Sequence, residues 1–189
     1  MKLYCYSHEE FDNLMNQLKL YDTPSSGISV ISITSPIDVN PNHWFKDSKN
    51  VINLDFNDIS PEMWWDNDYY DETFSMWHGQ KDCAKFFNYN HDNINLHAMD
   101  WTEAEKLVKF IDERIKEGDD IYVHCSAGAS RSQGVVRYIL DTYYYIDFET
   151  RKSNPCITPN WHVVRMLKRS YNKFYYENDK NINAIYGIG

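Results

Sequence analysis

The sequence predicts an α/β fold, a single three-layer domain whose central, mostly parallel sheet is flanked by helices. Three observations predict it. Short apolar, β-branched runs alternate along the chain with segments of helical periodicity, the pattern of a layered α/β domain. The run Ile121–Cys125 stays apolar up to His124, as a central strand buried on both faces does. Helix start and stop signals fall between the runs, where the alternation needs them. At 189 residues and 42% hydrophobic, the chain also has enough apolar material for one sizeable core.

Each element has its own signal. KLYCY reads as a short strand, and SHEEFDNLMNQL as a helix in which Ser7 and Glu10 form a capping box. TPSSG breaks that helix, ISVISI follows as an alternating strand, and NVINLDF is a further strand ending at Asn57-Asp58. Residues 60–100 carry eight acidic residues against two lysines, with dense aromatics and no sustained period. They read as an acidic, aromatic insertion packed on the domain surface. From Thr102, with Glu105 at capping-box spacing, Ala104, Leu107, Val108, Ile111 and Ile115 make a helical stripe that Gly118 closes. After the strand IYVHC, SQGVVRYILDTYYY reads as a helix, and Pro155 and Pro159 punctuate the path to a last helix near WHVVRMLKRSYNKFYY.

Charge and cysteine usage narrow the function. The net charge is −9, with +5 in residues 151–189 and −14 before them. An acidic chain is a poor nonspecific nucleic-acid binder, so no nucleic-acid partner is expected. The basic C-terminal stretch reads first as a solvated helix face, with a local docking surface as the alternative. No stretch approaches the ~20 apolar residues of a membrane span, and the N-terminus lacks the apolar run of a signal peptide. A cytoplasmic protein without a membrane partner is the expectation. Cys5, Cys83, Cys125 and Cys156 lie far apart and form no Cys-x-x-Cys pair, so neither a metal cluster nor a disulfide scaffold is expected. Three of them read as packing or inert thiols. Cys125 does not.

Cys125 stands at the mouth of the loop Ser126-Ala127-Gly128-Ala129-Ser130, between a strand and a helix. The side chains are tiny, and Gly128 permits backbone angles other residues resist, so main-chain N–H groups can converge on one point. The helix beginning near Ser130-Arg131 adds the positive end of its dipole, and Arg131 a bidentate fork. Such a nest binds an oxyanion, phosphate or a near relative. The same fields favour thiolate over thiol at Cys125, which makes it a candidate nucleophile for phosphoryl transfer through a phosphocysteine. Ser132 is placed to hydrogen-bond the departing sulfur. His124 should point away from Cys125 along the strand and act as a supporting residue rather than a base. No cofactor is called for.

VHCSAGASRS resembles the phosphate-binding loop of cysteine-dependent protein tyrosine phosphatases, closest to the dual-specificity branch. NPCITPNWHVVRML resembles that branch's Arg-Pro-x-Ile-x-Pro-Asn segment and following helix, with Asn154 in place of the usual arginine. With LDFNDI and WTEAEKLVKFID, the arrangement is similar to small phosphatases of bacteriophages and bacteria over about residues 28 to 170. The resemblance implies hydrolysis of phosphotyrosine, and of phosphoserine or phosphothreonine, on a phosphorylated protein or peptide. It also implies an aspartate, on the loop after the strand before the helix–strand–loop unit, that protonates the leaving group and then activates water. Asp58 matches that place. Asp92, 33 residues before Cys125, is the rival, while Asp100 reads as a helix-start charge and Asp55 as a strand residue facing sideways.

Asn160 reads as a structural amide holding loop backbone, with positioning of the catalytic loop as the alternative. Trp64, Trp65, Tyr69, Tyr70 and Trp77 either pack the insertion or wall a pocket for phosphotyrosine. Ala127 and Ala129 stand where phosphatases of polyphosphorylated head groups carry basic residues, which argues against that substrate. A binding module without turnover and a phosphatase of non-protein esters are the competing functions. Arsenate reduction is weakened by the remoteness in sequence of the other cysteines.

Overall fold

The computed structural model describes residues 1–35, 37–38, 40–59, 89–91, 94–96, 98–152 and 158–186. Strand β1 (Lys2–Ser7) runs into helix α1 (His8–Leu18), followed by β2 (Ile28–Thr34) and β3 (Val51–Asp55). A short antiparallel pair, β4 (Tyr89–His91) and β5 (Ile94–Leu96), precedes helix α2 (Trp101–Glu117). Then come β6 (Asp120–Cys125), α3 (Arg131–Thr142), β7 (Glu149–Lys152) and α4 (Trp161–Tyr186).

Five strands form one sheet in the order β3-β2-β6-β1-β7, every pair parallel. Strand β6 is central because its residues are apolar on both sides, and alternation sorts them between two cores. Ile121, Val123 and Cys125 face the layer of α2, α3 and α4, with Leu107, Ile111, Tyr138, Val163 and Leu167. Tyr122 faces the opposite layer, where Phe11 and Met15 of α1 pack with Phe45. The three layers expected from the sequence are thus present. Register sets Ser7 beside Cys125 and Ser32 beside His124, so the carboxyl ends of β1, β2 and β6 finish together. In a parallel sheet that edge is where ligands bind.

Local chemistry explains most element boundaries. Ser7 and Glu10 form the capping box of α1, with each side chain on the other residue's backbone N–H. At α2 the expected box of Thr102 and Glu105 is displaced by Asp100 and Glu103, two residues earlier at the same spacing. The Asp100 carboxylate takes the Glu103 N–H at 2.7 Å, a charged acceptor at the positive end of the helix dipole. Glu105 instead accepts from the Trp101 indole at 2.7 Å and Lys173 at 3.2 Å. Helix α3 stops at Thr142, short of the predicted Tyr145. Strand β7 was not legible: Glu-Thr-Arg-Lys has no apolar alternation, and it pairs with β1 at the sheet edge through its backbone. Most of the acidic insertion, with Trp64, Trp65, Tyr69, Tyr70, Trp77, Cys83 and Asp92, lies outside the described residues, as do Asn154, Pro155 and Cys156.

Candidate active site

Cys125 ends β6 and is 2% exposed. The loop after it is fixed by its alternate carbonyls. Ser126 O accepts from His8 N–H at 3.1 Å, and Gly128 O from the Gln133 side chain at 3.0 Å. Ser130 O accepts from Gly134 N–H at 2.8 Å and Asn160 N–H at 3.1 Å. All these donors lie outside the loop, on α1, on α3 and at Asn160 just before α4. With no cis peptide bond among the described residues, each carbonyl held outward turns the next N–H the other way. The amides of Ala127, Ala129 and Arg131 therefore face opposite those anchors.

Gly128 shows why only glycine serves at the apex. Its φ is +67°, and a Cβ there would sit 2.6 Å from Ser7 N and 2.7 Å from the Tyr6 carbonyl carbon, main-chain atoms that cannot swing aside. Ser130, at the N-cap of α3, makes no cap hydrogen bond. Its hydroxyl donates instead to Asp58 Oδ1 at 2.7 Å. The first amides of α3 are thus left uncapped by side chains, facing the loop that leads into them.

The Arg131 guanidinium is 4% exposed and held on two sides. Nη1 donates to Phe56 O at 3.0 Å, and Nη2 reaches both oxygens of Asp38 at 2.9 and 3.1 Å. Nε is buried without a hydrogen-bond partner. With Nη1 and Nη2 engaged, Nε–H is a further donor of the clamped guanidinium. Asp38 is a residue the sequence reading missed. The signal was available, because Asp38 lies in the loop leaving the carboxyl end of β2, the edge where a parallel sheet gathers its site.

Sulfur chemistry is concentrated behind the loop. Ser132 Oγ lies 3.1 Å from Cys125 Sγ and 3.2 Å from Cys5 Sγ, which donates to it. A hydroxyl has one hydrogen; with Cys5 supplying a second, the Ser132 hydrogen is left for Cys125. Gln133 Nε2 also donates to Cys5 at 3.0 Å. Cys5, expected to be a remote packing thiol, is buried in the core yet touches the site, because β1 and β6 are neighbours. His124 is fully buried and turned to the other face, stacked on Phe11 at 4.2 Å and edge-on to His8 at 5.3 Å. Burial, then the charges of His8, His43 and Arg131, holds its pKa well below the usual imidazole range. It is a neutral packing residue.

Among the acids, Asp58 is exposed and tied to the loop through Ser130 and to Asn160 Nδ2 at 2.8 Å. Asp55 is bonded to Thr34 at 2.7 Å and His43 at 3.1 Å, and Asp100 caps α2. Cys125, Ser126–Arg131, Ser132, Asp58 and Asn160 are therefore brought together, while His124 stands apart. The arrangement combines a thiol, a loop with its carbonyls anchored outward, a guanidinium held by Asp38, and the Asp58 carboxyl group bonded at the loop's end. No group of residues suited to a metal ion occurs among the described residues, nor is any helix there long and apolar enough to cross a membrane.

No family model matches the chain. Over 127 residues it is 33% identical to a protein of Amsacta moorei entomopoxvirus named as a tyrosine-protein phosphatase, covering 60% of this chain and 72% of that one. Over 89 residues it is 33% identical to a Dictyostelium discoideum protein named as a rhodanese domain-containing dual specificity protein phosphatase. That match covers 44% of this chain and 18% of the Dictyostelium protein. A solved structure, the human tyrosine phosphatase-like serine/threonine/tyrosine-interacting protein, aligns over 90% of this chain and 87% of its own, with 19% identity and a TM-score of 0.43. With the viral relative matched over most of its length, the chain belongs to the cysteine-based protein tyrosine and dual-specificity phosphatase superfamily.

Proposed function

We propose that the protein hydrolyses phosphotyrosine, and also phosphoserine or phosphothreonine, on protein or peptide substrates in the cytoplasm. The observation that carries the reading is the meeting of Cys125 and Arg131, at the two ends of one loop whose carbonyls are anchored outward, with Asp58 from the segment after β3. The phosphoryl group enters the loop, taking hydrogen bonds from its amides and from Arg131 Nε. Cys125 Sγ, as thiolate, attacks phosphorus; the S–P bond forms as the P–O bond to the tyrosine oxygen breaks. Asp58 gives that oxygen its proton. A water then attacks the phosphocysteine, Asp58 takes the water's proton, and the S–P bond breaks. Ser132 donates to the departing sulfur, which stabilises the returning thiolate.

Hydrolysis of p-nitrophenyl phosphate in the presence of a chelator tests this. The wild-type protein turns over, Cys125→Ser does not, and Cys125→Ser still binds a phosphotyrosine peptide. Full activity in Cys125→Ser contradicts the mechanism. Binding without turnover in the wild type establishes a phosphate-reading module instead.

A further inference from the structure

We propose that Asn160 is a positioning residue that locks Asp58 to the phosphate loop and fixes which of its oxygens carries the transferable proton. The inference rests on the reading of Asp58 as general acid. Asn160 is 4% exposed and bonded through both its backbone and its side chain. Its backbone N–H donates to Ser130 O at 3.1 Å, on the phosphate loop. Its side-chain carbonyl accepts from Val163 N–H at 3.1 Å, capping the first turn of α4. Its Nδ2 donates to Asp58 Oδ1 at 2.8 Å and to Ile59 O at 3.2 Å.

The amide orientation follows from its partners. Val163 N–H can only donate and must meet oxygen, whereas Ile59 O can only accept and must meet NH2. A flipped amide would break both bonds at once. Nδ2 therefore presents hydrogen to Asp58 Oδ1, and Ser130 Oγ donates to the same oxygen at 2.7 Å. A proton on Oδ1 would face the amide hydrogen, which cannot turn away. The acid proton accordingly sits on Oδ2, the oxygen left to face the leaving group. In the second step Oδ2 also receives the proton of water.

The clamp is built from the loop side as well. Gly134 of α3 lets α4 approach so closely that a Cβ there would lie 2.8 Å from Asn160 O. Ser130, which holds Asp58 by its hydroxyl, holds Asn160 by its carbonyl. The phosphate loop, the acid and the start of α4 are thus joined in one ring of hydrogen bonds. A small displacement of a catalytic group is costly in rate, so the ring keeps the acid in register with the phosphate.

The test separates a catalytic from a merely structural role. Asn160→Ser keeps a good N-cap for α4 but is too short to reach Asp58. Asn160→Asp keeps size and cap while turning an acceptor toward Asp58 Oδ1. For both, and for Asp58→Ala, kcat/KM is measured on 2,4-dinitrophenyl, p-nitrophenyl and phenyl phosphate, with tungstate inhibition alongside. This parameter reports steps through leaving-group departure. For both Asn160 variants, the ratio of dinitrophenyl to phenyl rates rises about tenfold, part of the roughly 10²–10⁴ a general acid supplies. Tungstate affinity stays within about twofold, because an inert oxyanion needs the loop amides and Arg131 but no proton.

Equal losses on all three esters, or no change in either Asn160 variant while Asp58→Ala steepens the series, overturn the role of Asn160 alone. An unsteepened series for Asp58→Ala removes Asp58 as the acid, and the present inference with it.

Discussion

Replacement of Gly128 by alanine tests the loop geometry most sharply, because Gly118 supplies its own control. Both have positive φ, +67° and +78°, but a Cβ on Gly118 meets nothing within 4 Å. Gly118→Ala therefore isolates the left-handed backbone penalty, about 1–2 kcal/mol. Gly128→Ala adds contacts of 2.6, 2.7 and 2.8 Å with Ser7 N, Tyr6 C and Tyr6 O. Loop and β1 must then separate by roughly 0.8 Å to reach ordinary contact. That movement strains the His8 N–H bond to Ser126 O and the Gln133 bond to Gly128 O, each about 1 kcal/mol. The sum is about 3–4 kcal/mol for Gly128→Ala, twice or more the cost at Gly118. Urea unfolding measures both, and thermal shift with tungstate measures anion binding, which falls by at least about tenfold for Gly128→Ala. Equal unfolding costs with undiminished tungstate binding refute the anchored-loop geometry.

Two other outcomes follow from charge. Asp38→Ala removes the half-buried carboxylate paired with the buried Arg131 guanidinium and costs about 3 kcal/mol in urea unfolding. Tungstate raises the Tm of that variant more than that of the wild type, because the anion replaces the missing carboxylate beside Arg131. Acidification destabilises through buried imidazoles. Burial holds His162 down to about 4, despite its hydrogen bond to Met99 O, and His124 well below its usual range. Both are neutral when folded and free to protonate when unfolded, so stability is full above pH ~6.5 and falls as pH drops toward 4. The slope reaches up to about 2.7 kcal/mol per pH unit for two such groups. His124→Phe halves it, as read from urea unfolding between pH 7 and 5.

The fold was legible wherever local chemistry and packing agreed. Ser7 with Glu10, the apolar stripe of α2, Gly118 and the uninterrupted β6 each gave one local answer that the core then used. That Cys125 and Arg131 share one loop was legible because they lie in one short stretch of sequence, whereas Asp58 was singled out only through the family resemblance. What stayed hidden depends on strand order. Cys5 reaches Ser132 because β1 lies beside β6, and Asp38 reaches Arg131 because the β2 loop ends at the same edge. No spacing in the chain encodes the Cys5 contact, and for Asp38 the one signal was its place in the loop after β2. Strand β7 was hidden for another reason: its pairing is carried by backbone alone.

The proposed mechanism requires sulfur 125 to become covalently bound to phosphorus during turnover. Mass spectrometry of the protein, quenched under denaturing conditions while hydrolysing p-nitrophenyl phosphate, tests it directly. One added phosphoryl group is expected, mapped to the peptide containing Cys125 and absent in Cys125→Ser. A phosphoryl group on any other residue, or steady turnover by the Cys125→Ser protein, contradicts it.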